Sequence, residues 1–198
     1  MQRLYVLFFI ELGSRRVHFA GYTPIPSGPW VTQQARTLAE RQEPIRFLIR
    51  DRDQKFTESF DRVFQSDGIE MVRTPFRAPQ ANGVAERFVR TVRAECLDWL
   101  LILNGQHLEQ VVRVFIDHYN GHRPHRGLAQ APPAPVRLPA AEWRGACVLR
   151  RDRLGGAIHE YTLAALTMFL HPTAATKDAA RIRRRRFCTP PLLFDSTR

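Results

Sequence analysis

The sequence predicts an α/β fold. Two apolar runs of strand length, residues 4–11 and 45–50, are rich in Val, Ile, Leu and Phe. Two longer stretches, 84–103 and 107–119, place their apolar residues at helical spacing instead. Strands therefore alternate with helices along the first two-thirds of the chain, as in folds that pack helices on a sheet.

The elements follow in order. Residues 4–11 read Leu-Tyr-Val-Leu-Phe-Phe-Ile-Glu, a run expected to be buried on both faces. Gly13-Ser14 is a turn, and residues 16–22 form a second strand, so the pair is expected as a hairpin. Pro24, Pro26, Gly28 and Pro29 break the chain. Residues 30–41 form a helix with Val31, Ala35 and Leu38 on one side. Residues 45–50 are the third strand, 57–65 a short helix with Phe60, Val63 and Phe64 inward, and 69–73 a fourth strand after Asp67-Gly68. Pro75 and Pro79 mark residues 74–82 as a mobile loop. Val89, Val92, Cys96, Trp99, Leu100 and Leu103 define one helix face over 84–103, with Arg87, Arg90 and Arg93 on the others. Leu108, Val111, Val112, Phe115 and Ile116 define the next helix.

After Leu128 the texture changes. The first unit is expected over 1–128. A Pro-rich linker and extension, with four prolines between 131 and 139, follow over 129–165, and 144–165 is expected to be weakly structured, with one short strand or helix at most. Residues 166–198 read as an irregular basic tail with seven basic and two acidic residues.

Composition narrows the partners. Net charge is +11 with a pI near 10.8, which favours a polyanion. Lys55 and Lys177 are the only lysines, so the charge is carried by arginine, the residue suited to bidentate phosphate contacts. A GC-rich genome also inflates arginine, but does not by itself unbalance basic against acidic residues. Cys96, Cys147 and Cys188 form no CxxC pair, and no Cys/His spacing suits zinc. A reducing cytoplasm is the expected compartment. The opening apolar run is too short to span a bilayer, so no membrane partner is expected.

Three blocks carry chemistry. Asp51 ends the run Ile45-Arg46-Phe47-Leu48-Ile49-Arg50, and Phe56 follows five positions later. Asp53 is the competing acid, and its place within a polar turn gives it a local reason to be there. Glu86 opens the helix that follows Gln80-Ala81-Asn82-Gly83, with Arg90 and Arg93 on or near its face. Alone, Glu86 reads equally as a helix-dipole glutamate paired with Arg90. The third block is His118-Tyr119-Asn120-Gly121-His122-Arg123-Pro124-His125-Arg126-Gly127-Leu128. It describes a helix end and a basic turn suited to phosphate contact or packing. Its histidines lie on a Pro-containing turn without standard zinc spacing, and are not expected to hold a metal.

In order and spacing, these blocks resemble the retroviral-integrase-like DDE transposases of bacterial insertion sequences, over about residues 4–128. The resemblance implies an RNase-H-like mixed sheet flanked by helices, and DNA transposition or integration by phosphodiester strand transfer. It implies two divalent ions, Mg²⁺ or Mn²⁺, held by three carboxylates. Asp51 and Glu86 match two of these, as catalytic and metal-binding residues. Arg87, Arg90, Arg93, Arg123 and Arg126 would contact DNA. The family's third acid is an Asp on the first strand, and no Asp precedes Asp51 here. The expectation is therefore a catalytic core lacking its first strand, inactive alone, with DNA and other copies or an intact transposase as partners. The competing expectation is a non-catalytic basic module that binds DNA or inhibits an intact transposase. The run Arg153-Leu154-Gly155-Gly156-Ala157-Ile158-His159-Glu160-Tyr161 resembles the terminal segment of some members, which would make 166–198 readthrough.

Overall fold

A computed structural model describes residues 3–40, 45–75, 82–134 and 146–165. The expected basic tail over 166–198, most of the loop over 74–82, and the later part of the Pro-rich linker lie outside the described residues. The order is β1 (Tyr5–Ile10), β2 (Val17–Thr23), α1 (Gly28–Ala39), β3 (Phe47–Arg50), α2 (Glu58–Gln65) and β4 (Glu70–Arg73). Then come α3 (Gly83–Ala94), a 3₁₀ turn at Leu97–Trp99, α4 (Gly105–Gly121), β5 (Ala146–Arg153) and β6 (Ile158–Ala165). The class is mixed α/β.

β1 is the centre of the packing because both of its faces are apolar. Val6, Phe8 and Ile10 face a core built by α3 and α4, where Phe88, Val92, Val112 and Phe115 are fully buried. Leu7 and Phe9 face a second core on α1 and α2, around Ala35, Phe60 and Phe64. Ring contacts mark the two sides: Phe8 to Phe88 at 4.8 Å and Phe9 to Phe64 at 6.1 Å between centroids. The alternation is the two-residue period of a strand between helical layers.

Helix ends follow local chemistry. Ser27 caps α1 by accepting from the Trp30 N–H, and Pro29 sits in its first turn, where a missing N–H costs nothing. Asn104 caps α4 through the His107 N–H at 2.8 Å. At the other end of α4, the Asn120 side chain accepts from the Val17 N–H at 2.9 Å and donates to its C=O at 2.8 Å, tying the helix to β2.

Among the described residues the sheet is not continuous. β1 pairs with β2 antiparallel, β3 pairs with β4 parallel, and no ladder joins β1 to β3. Two expectations need correction. The helix expected over 84–103 ends at Ala94. Leu100 and Ile102 then pack on the core while Leu101 and Leu103 are exposed, which is a strand-type period after Trp99. The Trp99 indole N–H takes the free Ala94 C=O at 3.1 Å, which satisfies an orphan carbonyl at the helix end. Of the segment expected to be weakly structured over 144–165, the described residues 146–165 form an antiparallel hairpin, β5 on β6. Its turn needs left-handed backbone at Gly155 (φ 68°) and Gly156 (φ 99°), which glycine supplies without strain. Ile158 anchors it in the first core.

Candidate functional site

Between β1 and β3 lies a cleft of about 1250 Å³. Asp51, Glu86, Arg90 and Arg93 all line it. Asp51 arrives there because β3 ends one residue before it. Its carboxylate accepts the Asp53 N–H at 3.0 Å, which starts the turn. Asp53 is occupied within that turn, accepting from the Lys55 N–H at 2.9 Å and the Lys55 ammonium at 2.7 Å.

The backbone around Asp51 is held by arginines. Buried Arg50 donates through Nε and Nη2 to both oxygens of Asp61, each at 2.7 Å. Its Nη1 donates to the Asp51 C=O at 2.9 Å. Arg73 reaches Asp61 at 2.9 Å, and Arg52 Nε donates to the Thr74 C=O at 3.0 Å. Burial pushes the Asp61 carboxyl up, but the hydrogen bonds from Arg50 and Arg73 outweigh it and hold the group below the usual carboxylate range. Sequence reasoning missed Asp61. Its only signal is its place beside Phe60 on the inward side of α2.

Glu86 lies in the first turn of α3 and is exposed, at the helix end that favours a negative charge. Arg90 and Arg93 follow one and two turns later. Arg87 is exposed and does not line the cleft. Arg123 is committed elsewhere. Its guanidinium donates to both oxygens of Glu95, at 3.1 and 3.2 Å, and lies over the Tyr119 ring at 5.6 Å. Burial raises the Glu95 carboxyl despite Arg123. Arg126 is exposed on the turn after α4.

The three histidines of the third block sit in packed surroundings. His118 Nδ1 is 3.6 Å from the buried Glu160 of β6, too long for a hydrogen bond, and His122 Nε2 is 3.9 Å from it. Arg153 also faces Glu160, at 3.4 Å. Burial pushes the His118 imidazole down to about 4, against the pull of Glu160. His125 packs edge-on to Tyr119 at 4.6 Å. Among the described residues, no group of three or more His, Cys, Asp or Glu is placed to hold a metal ion. Asp51 and Glu86 are two hard oxygen donors, fewer than a two-ion centre requires, so these residues alone do not fit such a centre.

Residues 67–133, which include α3, Glu86 and the block ending at Leu128, match the family described as Integrase core domain. The chain is also similar to transposases of insertion elements. It is 30% identical over 77 residues to the InsD product of insertion element IS2E from Escherichia coli (strain K12), covering 39% of this chain and 34% of that protein. It has the same identity over the same length to Transposase InsD for insertion element IS2A/D/F/H/I/K from Escherichia coli, covering 25% of that protein. The matched stretch thus spans a quarter to a third of the length of these curated relatives. The crystal structure of the catalytic core domain of BIV integrase superposes with a TM-score of 0.49 at 19% identity, over 66% of this chain and 81% of that one. No helix among the described residues is long and apolar enough to cross a membrane.

Proposed function

We propose that the chain serves DNA transposition or integration, with Asp51 and Glu86 as two of the carboxylates of a phosphodiester strand-transfer centre. Its main support is that these two acids, which come from a strand end and a helix start, line one cleft. Arg90 and Arg93 line the same cleft and suit DNA phosphates. Divalent ions would supply Lewis-acid stabilisation at the phosphate, with Asp51 and Glu86 among their ligands. Because two carboxylates do not complete that centre, the chain alone is expected not to cut or join DNA.

Incubation with Mg²⁺ or Mn²⁺ and DNA carrying element ends checks this. No products are expected from the chain alone. A protein extended upstream by an Asp-bearing strand and an end-recognition domain is expected to carry out strand transfer, and Glu86→Gln is expected to abolish it. A neutral amide is a far poorer ligand for a hard cation than a carboxylate. Strand transfer by the chain alone would refute the two-carboxylate limit. Transfer by the extended protein that survives Glu86→Gln would remove Glu86 from the site.

A further inference from the structure

Three elements meet at the end of α4, outside the cleft. Asn120 binds both backbone groups of Val17, so the turn between β1 and β2 lies beside the last turn of α4. Phe88 of α3 meets the neighbouring Tyr119 edge-on, with ring centroids 5.0 Å apart. Arg15 of that turn and Arg87 of α3 are thereby brought around Tyr119. Burial raises the Tyr119 hydroxyl, and Arg123, Arg15 and Arg87 pull it down. None of these residues lines the cleft.

The cluster holds polar groups that the chain itself does not use. Tyr119 is 6% exposed, yet its hydroxyl has no hydrogen-bond partner among the described residues. The buried His125 ring stands edge-on to Tyr119 and bonds to the Tyr119 main chain, which leaves its Nε2 unpaired. Arg123 is neutralised by Glu95, but neither Arg15 nor Arg87 has an ion-pair partner among the described residues. Arg15 also holds a left-handed backbone, φ 66°, which glycine or asparagine would adopt with less strain. Such strain concentrates at ligand-binding positions. Two unmatched guanidinium groups beside a free phenolic donor suit an anion with two charges and several oxygens. A phosphomonoester carries about −1.5 to −2 at neutral pH, whereas each phosphodiester within a DNA strand carries a single charge.

We propose that Arg15, Arg87 and the Tyr119 hydroxyl form a binding site for a phosphomonoester dianion, either free phosphate or the terminal phosphate of a DNA strand. The two guanidinium groups take the phosphate oxygens, and the phenol donates a further hydrogen bond. Glu95 holds Arg123 back from the ligand. The site is separate from the cleft of Asp51 and Glu86, and stands whether or not the chain transfers strands.

The test titrates inorganic phosphate into the full chain at constant ionic strength, followed by calorimetry and by the amide shifts of Arg15 and Arg87. Saturable one-to-one binding is expected, and chloride should not reproduce it. Arg87→Ala should weaken binding about tenfold, the scale of a hydrogen bond to a charged partner. Arg15→Asn should do the same and keep the turn, because asparagine tolerates left-handed backbone. Tyr119→Phe should weaken binding about threefold or more without lowering the melting temperature, since the lost hydroxyl has no partner in the chain. Arg62→Ala, on α2, should leave binding unchanged. Absence of saturable binding overturns the proposal, and so does binding that survives Arg15→Asn and Arg87→Ala or falls equally with Arg62→Ala. Competition separates the two sources. A 5′-phosphorylated oligonucleotide that displaces phosphate about tenfold better than its 5′-hydroxyl form makes a DNA end the ligand. If neither form displaces it, free phosphate is the ligand. Equal displacement by both would put internal phosphodiesters in the site and overturn the proposal.

Discussion

Arg50 is the residue whose loss should be felt furthest. It is buried, forks onto buried Asp61, and holds the Asp51 C=O. Arg50→Met leaves Asp61 with only the half-exposed Arg73, and an uncompensated buried carboxylate costs about 3 kcal/mol or more. The double change Arg50→Met/Asp61→Leu removes both charges and should recover much of that loss. Urea unfolding measures both, and a single variant as stable as the double would refute the account. His118 supplies a pH test. Its imidazole titrates near 4 in the folded chain, against about 6.5 when unfolded. Between these values the unfolded state holds a proton that the folded state lacks, so stability falls as pH drops from 6.5 toward 4. The loss approaches about 3.5 kcal/mol at full extent, since the gap is about 2.5 pKa units and each is about 1.4 kcal/mol. His118→Gln should flatten the slope of unfolding free energy against pH across that window. An unchanged slope would remove His118 as its source.

At the scale of elements, Asn120 joins α4 to the start of β2. Its amide satisfies both backbone groups of Val17, doing for that strand end what a neighbouring strand would do. Asn120→Ala should cost about 2 kcal/mol, because both groups become unpaired in a partly buried place. Asn120→Asp keeps the acceptor for the Val17 N–H and should cost less. Thermal unfolding gives the costs, and exchange of the Val17 amide shows whether the contact is responsible. Faster exchange in Asn120→Ala than in Asn120→Asp is expected. The sequence marked Asn120 within a helix-ending block, but not its partner, which lies 103 positions away. The first four strands and α1, α2 and α4 were legible because each is either a short apolar run between turn signals or keeps one period for its whole length. The stretch after α3 was not, because Trp99, Leu100 and Leu103 continue the helical stripe of Val89, Val92 and Cys96 in the sequence, although the helix ends at Ala94. The β5–β6 hairpin was missed because arginines dominate β5, and only Ile158 beside Gly155-Gly156 announces it.

At the scale of the molecule, Asp51, Glu86, Arg90 and Arg93 were nominated by sequence blocks, and one cleft brings them together. The buried acids Asp61 and Glu160 were not nominated. What singles them out is burial against arginines and histidines supplied by other elements, and no local pattern encodes that. Arg123 was nominated for DNA, and it holds Glu95 in the described structure. The other cations nominated for DNA are Arg87, Arg90 and Arg126, all exposed, and Arg93, which lines the cleft. If these four carry duplex binding, log affinity should fall with log salt at a slope of about −3.5, since each neutralised phosphate contributes about −0.9. Raising salt from about 50 to 200 mM would then weaken binding roughly a hundredfold. Arg90→Ala and Arg93→Ala should each reduce the slope by about one and weaken all duplex sequences alike, because phosphate contacts carry no base information. Arg123→Ala should instead destabilise the fold through Glu95 and leave the slope nearly unchanged. Fluorescence anisotropy over a salt series separates these outcomes. A flat salt response would remove the electrostatic account, and no binding at low salt would remove the DNA interface itself.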